Sequence, residues 1–129
     1  MRSSLQTDHH GFTLIELLVV MAIIATLLTL AVPRYFSSLK KSQEAVMKEN
    51  LWILRDALDK YYGDAGRYPD RLEELVVKKY LRSLPLDPIT DSSTSWLVIP
   101  PSDPEKGGVY DVKSGATGMS TNGSPYNDW

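Results

Sequence analysis

Cysteine is absent from this 129-residue chain. Disulfides, thiolate nucleophiles and thiolate-bound metals are therefore excluded. Histidine is almost absent: the only two, His9 and His10, are adjacent and precede a long apolar run. From residue 11 onward no Ser-His-Asp or Cys-His nucleophile can be built, nor the usual nitrogen- or sulfur-ligated zinc site. No charge sign dominates. Fourteen Lys and Arg against 16 Asp and Glu give a net charge of −2, which argues against a nucleic-acid partner. No spacing singles out a pair of carboxylates for acid–base work. The chain offers no catalytic residues, and the expectation is a protein that is not an enzyme.

What is present is one run, GFTLIELLVVMAIIATLLTLAV, from Gly11 to Val32. Phe12 to Val32 is apolar except for Thr13, Glu16, Thr26 and Thr29. As a helix it would be roughly 30 Å long, about the thickness of a bilayer's hydrocarbon core. Glu16 is the anomaly. A carboxylate inside such a run is costly in lipid and by default marks a functional site whose partner must be found. The run has no Lys, Arg or His, so the cation must come from another chain or from this chain's own N-terminus.

The residues ahead of the run, MRSSLQTDHHG, are short and polar. A secretory signal is cut after its apolar region, following small residues. Here the run closes on Val32-Pro33-Arg34 instead. Gly11-Phe12-Thr13-Leu14-Ile15-Glu16 resembles the leader junction of type IV prepilins and type II secretion pseudopilins. The resemblance implies that a prepilin peptidase cuts between Gly11 and Phe12 and that Phe12 becomes the N-methylated first residue. Glu16 then falls at the acidic position with which these subunits assemble, facing the positive N-terminal amine of a neighbour. Such a buried pair is a good device for setting register. Removal of residues 1–11 would also remove both histidines. Near the run, Arg2 lies on the N-terminal side and Arg34, Lys40 and Lys41 on the other. Charge bias alone would hold the C-terminal domain in the cytoplasm; the resemblance places it in the periplasm.

Past Pro33 the pattern stays helical but changes face. Met47, Leu51, Leu54, Leu58 and Tyr61 recur at spacings of four and three, with Trp52 widening the stripe, while Lys48, Glu49, Arg55, Asp56 and Lys60 form the other face. One helix from about Phe12 to Tyr62 is expected, ending at Gly63-Asp64-Ala65-Gly66. Ala57-Leu58-Asp59-Lys60-Tyr61-Tyr62 followed by Gly66-Arg67-Tyr68-Pro69 is similar to a segment of pseudopilins, above all the major, G-type pseudopilin. Arg67 and Tyr68 read as a loop anchor on the helix. A short second helix should open at Asp70, an N-cap with Glu73 at capping-box spacing. Leu72, Leu75, Val76 and Leu81 give it an apolar face, and Leu84-Pro85-Leu86-Asp87-Pro88 ends it. That LPxDP string is again similar to the G-type pseudopilin. Ile89 to Ser95 reads as an exposed turn without a separate role. Ser95–Ile99 and Gly108–Ser114 read as strands, and Gly115–Trp129 as a loop pinned by Tyr126 and Trp129.

These readings give an α+β chain with a pilin-like fold. A long N-terminal helix, its apolar half protruding, packs on a small antiparallel β-sheet with a C-terminal loop. The divisions are a cleaved leader at 1–11, a transmembrane or filament-core helix half at 12–33, and a periplasmic globular domain at 34–129. In G-type pseudopilins a C-terminal loop binds calcium. Tyr110–Ala116 and Asn127-Asp128-Trp129 resemble its two ends. Acidic residues are missing between Asp111 and Asp128, whereas calcium takes six to eight oxygens, usually with several carboxylates. No cofactor is assigned, and Ser114, Asn122 and Asp128 stand as calcium candidates.

The resemblance implies a structural subunit of a type II protein secretion system in the bacterial inner membrane, single-pass and polymerised into a periplasmic filament. Its implied partners are further copies of itself, other pseudopilins, the prepilin peptidase, the inner-membrane assembly platform and membrane lipid. The alternative is a type IV pilus subunit for adhesion or motility. The absence of cysteine and the GRYP and LPxDP segments disfavour it.

Overall fold

A computed structural model describes Gly11 and residues 13–129. The chain divides into two compact units, one ending at Ser38 and one spanning Leu39–Trp129. Helix α1, Leu14–Ala65, supplies the first unit and opens the second. It contains Pro33, which has no N–H to offer the carbonyl of Thr29, yet the helical assignment continues through it.

In the first unit every side chain of residues 13–32 is exposed. This stretch is the one helix segment among the described residues long and apolar enough to cross a membrane. Its polar groups are satisfied locally, as a hydrocarbon environment demands. The Thr26 hydroxyl donates to the Ala22 carbonyl and that of Thr29 to the Ala25 carbonyl, each at 2.8 Å.

In the second unit α1 is amphipathic. Met47, Leu51, Leu54, Ala57 and Leu58 are buried and share one core with Leu72, Leu75, Trp96, Val109 and Val112. Tyr61 packs against its edge. Trp52 does not widen the stripe: it is 62% exposed. It is one residue past the buried Leu51, and 100° per residue turns it off the core face.

The helix runs to Ala65, three residues past Tyr62 and within the expected Gly63–Gly66 end. Gly66 takes a φ of +73°, the left-handed cap conformation, and its N–H donates to the Tyr62 carbonyl at 2.8 Å. Tyr68 then stacks on Tyr62, centroids 4.5 Å apart, so the expected anchor forms. Arg67 instead pairs with Asp70 at 2.8 Å. The expected capping box does not form, because the second helix begins two residues later than an Asp70 cap requires. Helix α2 spans Glu73–Val77, with Leu72 at its N-cap position and no side-chain cap.

Strands β1, Leu97–Ile99, and β2, Asp111–Lys113, pair antiparallel with Val98 opposite Val112. They are shorter than the apolar patterns that announce them. Pro100-Pro101 ends β1, and proline cannot extend a ladder. Between them, Gly107 has a φ of +117°, and a Cβ there would lie 2.1 Å from the Tyr68 carbonyl oxygen. Only glycine lets the backbone pass the GRYP segment this closely, where the Tyr68 N–H meets the Lys106 carbonyl at 2.6 Å. The segment 89–95 has more structure than an exposed turn: Ile89 packs on the core, and Asp87 and Ser92 form an antiparallel bridge.

The packing predicts a contrast along α1. Leu54→Ala should lower stability by about 2–5 kcal/mol, whereas Trp52→Ala should stay within about 0.5 kcal/mol. Denaturant unfolding of the detergent-solubilised chain measures both.

Candidate functional site

Two carboxylates on α1 organise the chemistry. The first is Glu16. Thr13 precedes the helix, and its N–H donates to Glu16 Oε2 at 3.3 Å, while the Glu16 N–H donates to Thr13 Oγ1 at 3.2 Å. This reciprocal pair is a capping box, T-x-x-E, which satisfies two of the orphan donors at a helix start. Glu16 thus has a neutral partner in its own chain, which the search for a cation overlooked although the spacing is plain in the sequence. Its negative charge also sits at the positive end of the helix dipole. The cap does not neutralise it, because Gly11 to Pro33 contains no basic side chain. Gly11 is exposed with a φ of +79°. Residues 1–10 and Phe12, the other partner in the expected cleavage, lie outside the described residues.

The second carboxylate is Glu44, which sequence reasoning missed. It is only 6% exposed. Its Oε1 accepts from the Thr121 N–H at 2.7 Å and the Tyr126 hydroxyl at 3.0 Å, and its Oε2 from the Thr121 hydroxyl at 2.7 Å. Burial alone would raise its pKa, but these hydrogen bonds and the Lys40 charge outweigh that and hold it below the ordinary 4.5. Burial, with the Glu44 charge behind it, pushes Tyr126 up to about 12. The signal was available: Glu44 lies three residues before Met47 and seven before Leu51, in register with the apolar stripe.

Two further groups fasten the C-terminal part. Arg55 reaches Asp111 Oδ1, the Val112 carbonyl and a Trp129 main-chain oxygen at 2.9, 2.9 and 2.6 Å. Asp87 is fully buried. One oxygen accepts from the Ile89 and Thr90 N–H groups, and the other from the Ser114 hydroxyl at 2.6 Å. Trp129 packs edge-on against Tyr126, centroids 5.3 Å apart, with Lys48 Nζ 4.8 Å from its ring. The expected pins, Tyr126 and Trp129, do hold the loop.

Two of the three calcium candidates already have their side-chain oxygens hydrogen-bonded within the protein. Ser114 Oγ is spent on Asp87 and on the Ala116 N–H. Asn122 Oδ1 accepts from the Ser120 hydroxyl and from the Ser124 N–H and hydroxyl. Asp128 lies exposed in a short 3₁₀ turn, Tyr126–Asp128. Among the described residues no three acidic, His or Cys side chains gather in one place.

Residues 7–32 match the family model of the prokaryotic N-terminal methylation motif. The type II secretion system core protein G of Escherichia coli is 30% identical over 120 residues, which cover 81% of this chain and 79% of that protein. This chain belongs to the type II secretion core protein G family. The core protein G of Pseudomonas aeruginosa is 35% identical over 94 residues, 60% of this chain and 66% of the relative. The type IV major pilin protein PilA of Myxococcus xanthus is 36% identical over 67 residues, 52% of this chain and 30% of the pilin. The chain thus spans about a third of the matched pilin and just under two thirds of the Pseudomonas protein. No solved structure matches. Family membership agrees with the leader, GRYP and LPxDP resemblances, and the long helix with its two-stranded sheet agrees with the α+β fold they imply.

Two outcomes follow for the Glu44 clamp. Tyr126→Phe removes one hydrogen bond to a buried charge and should cost about 1.5–3 kcal/mol, read from denaturant midpoints. Glu44 has a depressed folded-state pKa, so its contribution is complete above 4.5 and is lost as pH falls from there through the lower folded value. Thermal melts across that window should show stability declining with acid, and Glu44→Gln should flatten the decline.

Proposed function

We propose that this chain is a structural subunit of a type II secretion filament, without catalytic activity of its own. It enters the inner membrane as a prepilin, is cut between Gly11 and Phe12, and is methylated at the Phe12 amine. The helix half at 12–33 first spans the bilayer and then forms the filament core with other copies. Residues 34–129 fold in the periplasm, and the assembled filament drives export. Prepilin peptidase, other pseudopilins and the inner-membrane assembly platform are the partners this route requires.

The observation that carries the reading is Glu16, a single carboxylate in a wholly exposed apolar helix with no basic side chain from Gly11 to Pro33. A lone anion in that setting calls for a cation from elsewhere. Cleavage after Gly11 creates one, the Phe12 amine, on every copy. The capping box keeps Glu16 hydrogen-bonded while the subunit waits in the membrane, and a neighbour's amine supplies the charge on assembly. The match to the Myxococcus pilin favours a second reading, a type IV pilus subunit, over the 30% of that protein it covers.

The test is a chromosomal Glu16→Ala substitution. The variant should fractionate with the inner membrane at wild-type abundance but yield less than about a tenth of the sheared filament, with secreted enzymes retained in the periplasm. Normal filament yield contradicts the assignment. Lost surface motility with intact secretion selects the pilus reading.

A further inference from the structure

The C-terminal segment has almost no regular structure of its own. Beyond β2 it makes one isolated bridge, Met119 to Pro125, and one 3₁₀ turn. Yet Ser120 and Tyr126 are 5% and 3% exposed, so the loop is held closely. A bound cation would order such a loop by gathering oxygens, but the side-chain oxygens of Ser120, Asn122 and Ser124 are hydrogen-bonded to one another. What the loop presents instead is donors. The Thr121 N–H, the Thr121 hydroxyl and the Tyr126 hydroxyl converge on one point, and the Glu44 carboxylate fills it.

We propose that Glu44 is the locking group of the C-terminal loop, occupying with a protein carboxylate the organising role that a cation would otherwise have. The chemistry is inverted. A loop rich in carboxylates cages a positive ion; a loop stripped of acids between Asp111 and Asp128 but furnished with N–H and O–H donors cages a negative one. Hydrogen bonds to an ionised acceptor are short and about twice as strong as neutral ones. Three of them fill most of the roughly four acceptor sites of a nearly dry carboxylate, and the anion is carried by α1, which buries Met47, Leu51, Leu54, Ala57 and Leu58. The lock is intramolecular, so it needs no metal from the medium and does not depend on whether the chain assembles into a filament.

The experiment is hydrogen exchange, read by mass spectrometry, on the full chain in detergent micelles, with either EDTA or calcium chloride added. In the wild type, exchange over residues 116–129 should be the same in both. Glu44→Gln keeps the side chain's size but turns an amide N–H₂ toward donors. It should speed exchange at Thr121 by about tenfold or more and leave α2 unchanged. Should Glu44→Gln fail to fold, Thr121→Val removes one donor and should give a smaller rise confined to the same peptides. Protection of 116–129 by calcium, or its loss in EDTA, overturns the proposal. So does loop exchange in the folded Glu44→Gln chain at the wild-type rate, or in Thr121→Val where that variant is the one tested.

Discussion

The second unit depends on drying one stripe of α1. Met47, Leu51, Leu54 and Leu58 are exposed to 1% or less, and a buried leucine of this kind contributes on the order of 1.5–3 kcal/mol by leaving water. The chain that covers them forms two three-residue strands, one five-residue helix and two three-residue 3₁₀ turns. A sheet that small is marginal by itself. The cover must therefore be fixed at particular points, and charged side chains do it. Arg55 and Glu44 reach out from the helix to the C-terminal segment, and Asp87 reaches in from the proline-bracketed loop. Each replaces a run of ladder hydrogen bonds with a few directed ones.

The two carboxylates of α1 solve one problem in two solvents. Glu44 lies in a protein interior, where three donors are assembled around it and the charge persists. Glu16 lies in an apolar stretch of bare helix, where the capping box with Thr13 supplies hydrogen bonds but no countercharge. One carboxylate is complete within the chain, whereas the other is left without a countercharge; under the proposed function, assembly supplies it.

Much of the fold was legible in the sequence because it rests on periodicity. The switch in α1 from apolar all round to a single stripe, the two strand patterns and the pinning residues Tyr126 and Trp129 follow from residue type and spacing. The misses have separate causes. Trp52 was assigned by its chemistry, but a residue next to Leu51 points away from the core. Asp70 had the spacing of a cap, but the helix begins at Glu73 with Leu72 at its N-cap position. Glu44 stands in register with the apolar stripe, but its partners lie 77 and 82 residues away, and such long-range pairing leaves no local sign of which groups it meets. The calcium candidates had suitable oxygens, but Ser114 spends its hydroxyl on the buried Asp87, and Asn122 its amide oxygen on Ser120 and Ser124.

The central claim is that Glu16 awaits an amine that processing creates. The most direct measurement is the intact mass and N-terminal sequence of the protein purified from its native membrane. The account predicts a chain that starts at N-methylated Phe12. A chain that retains residues 1–11, or one cut beyond Val32, would contradict it.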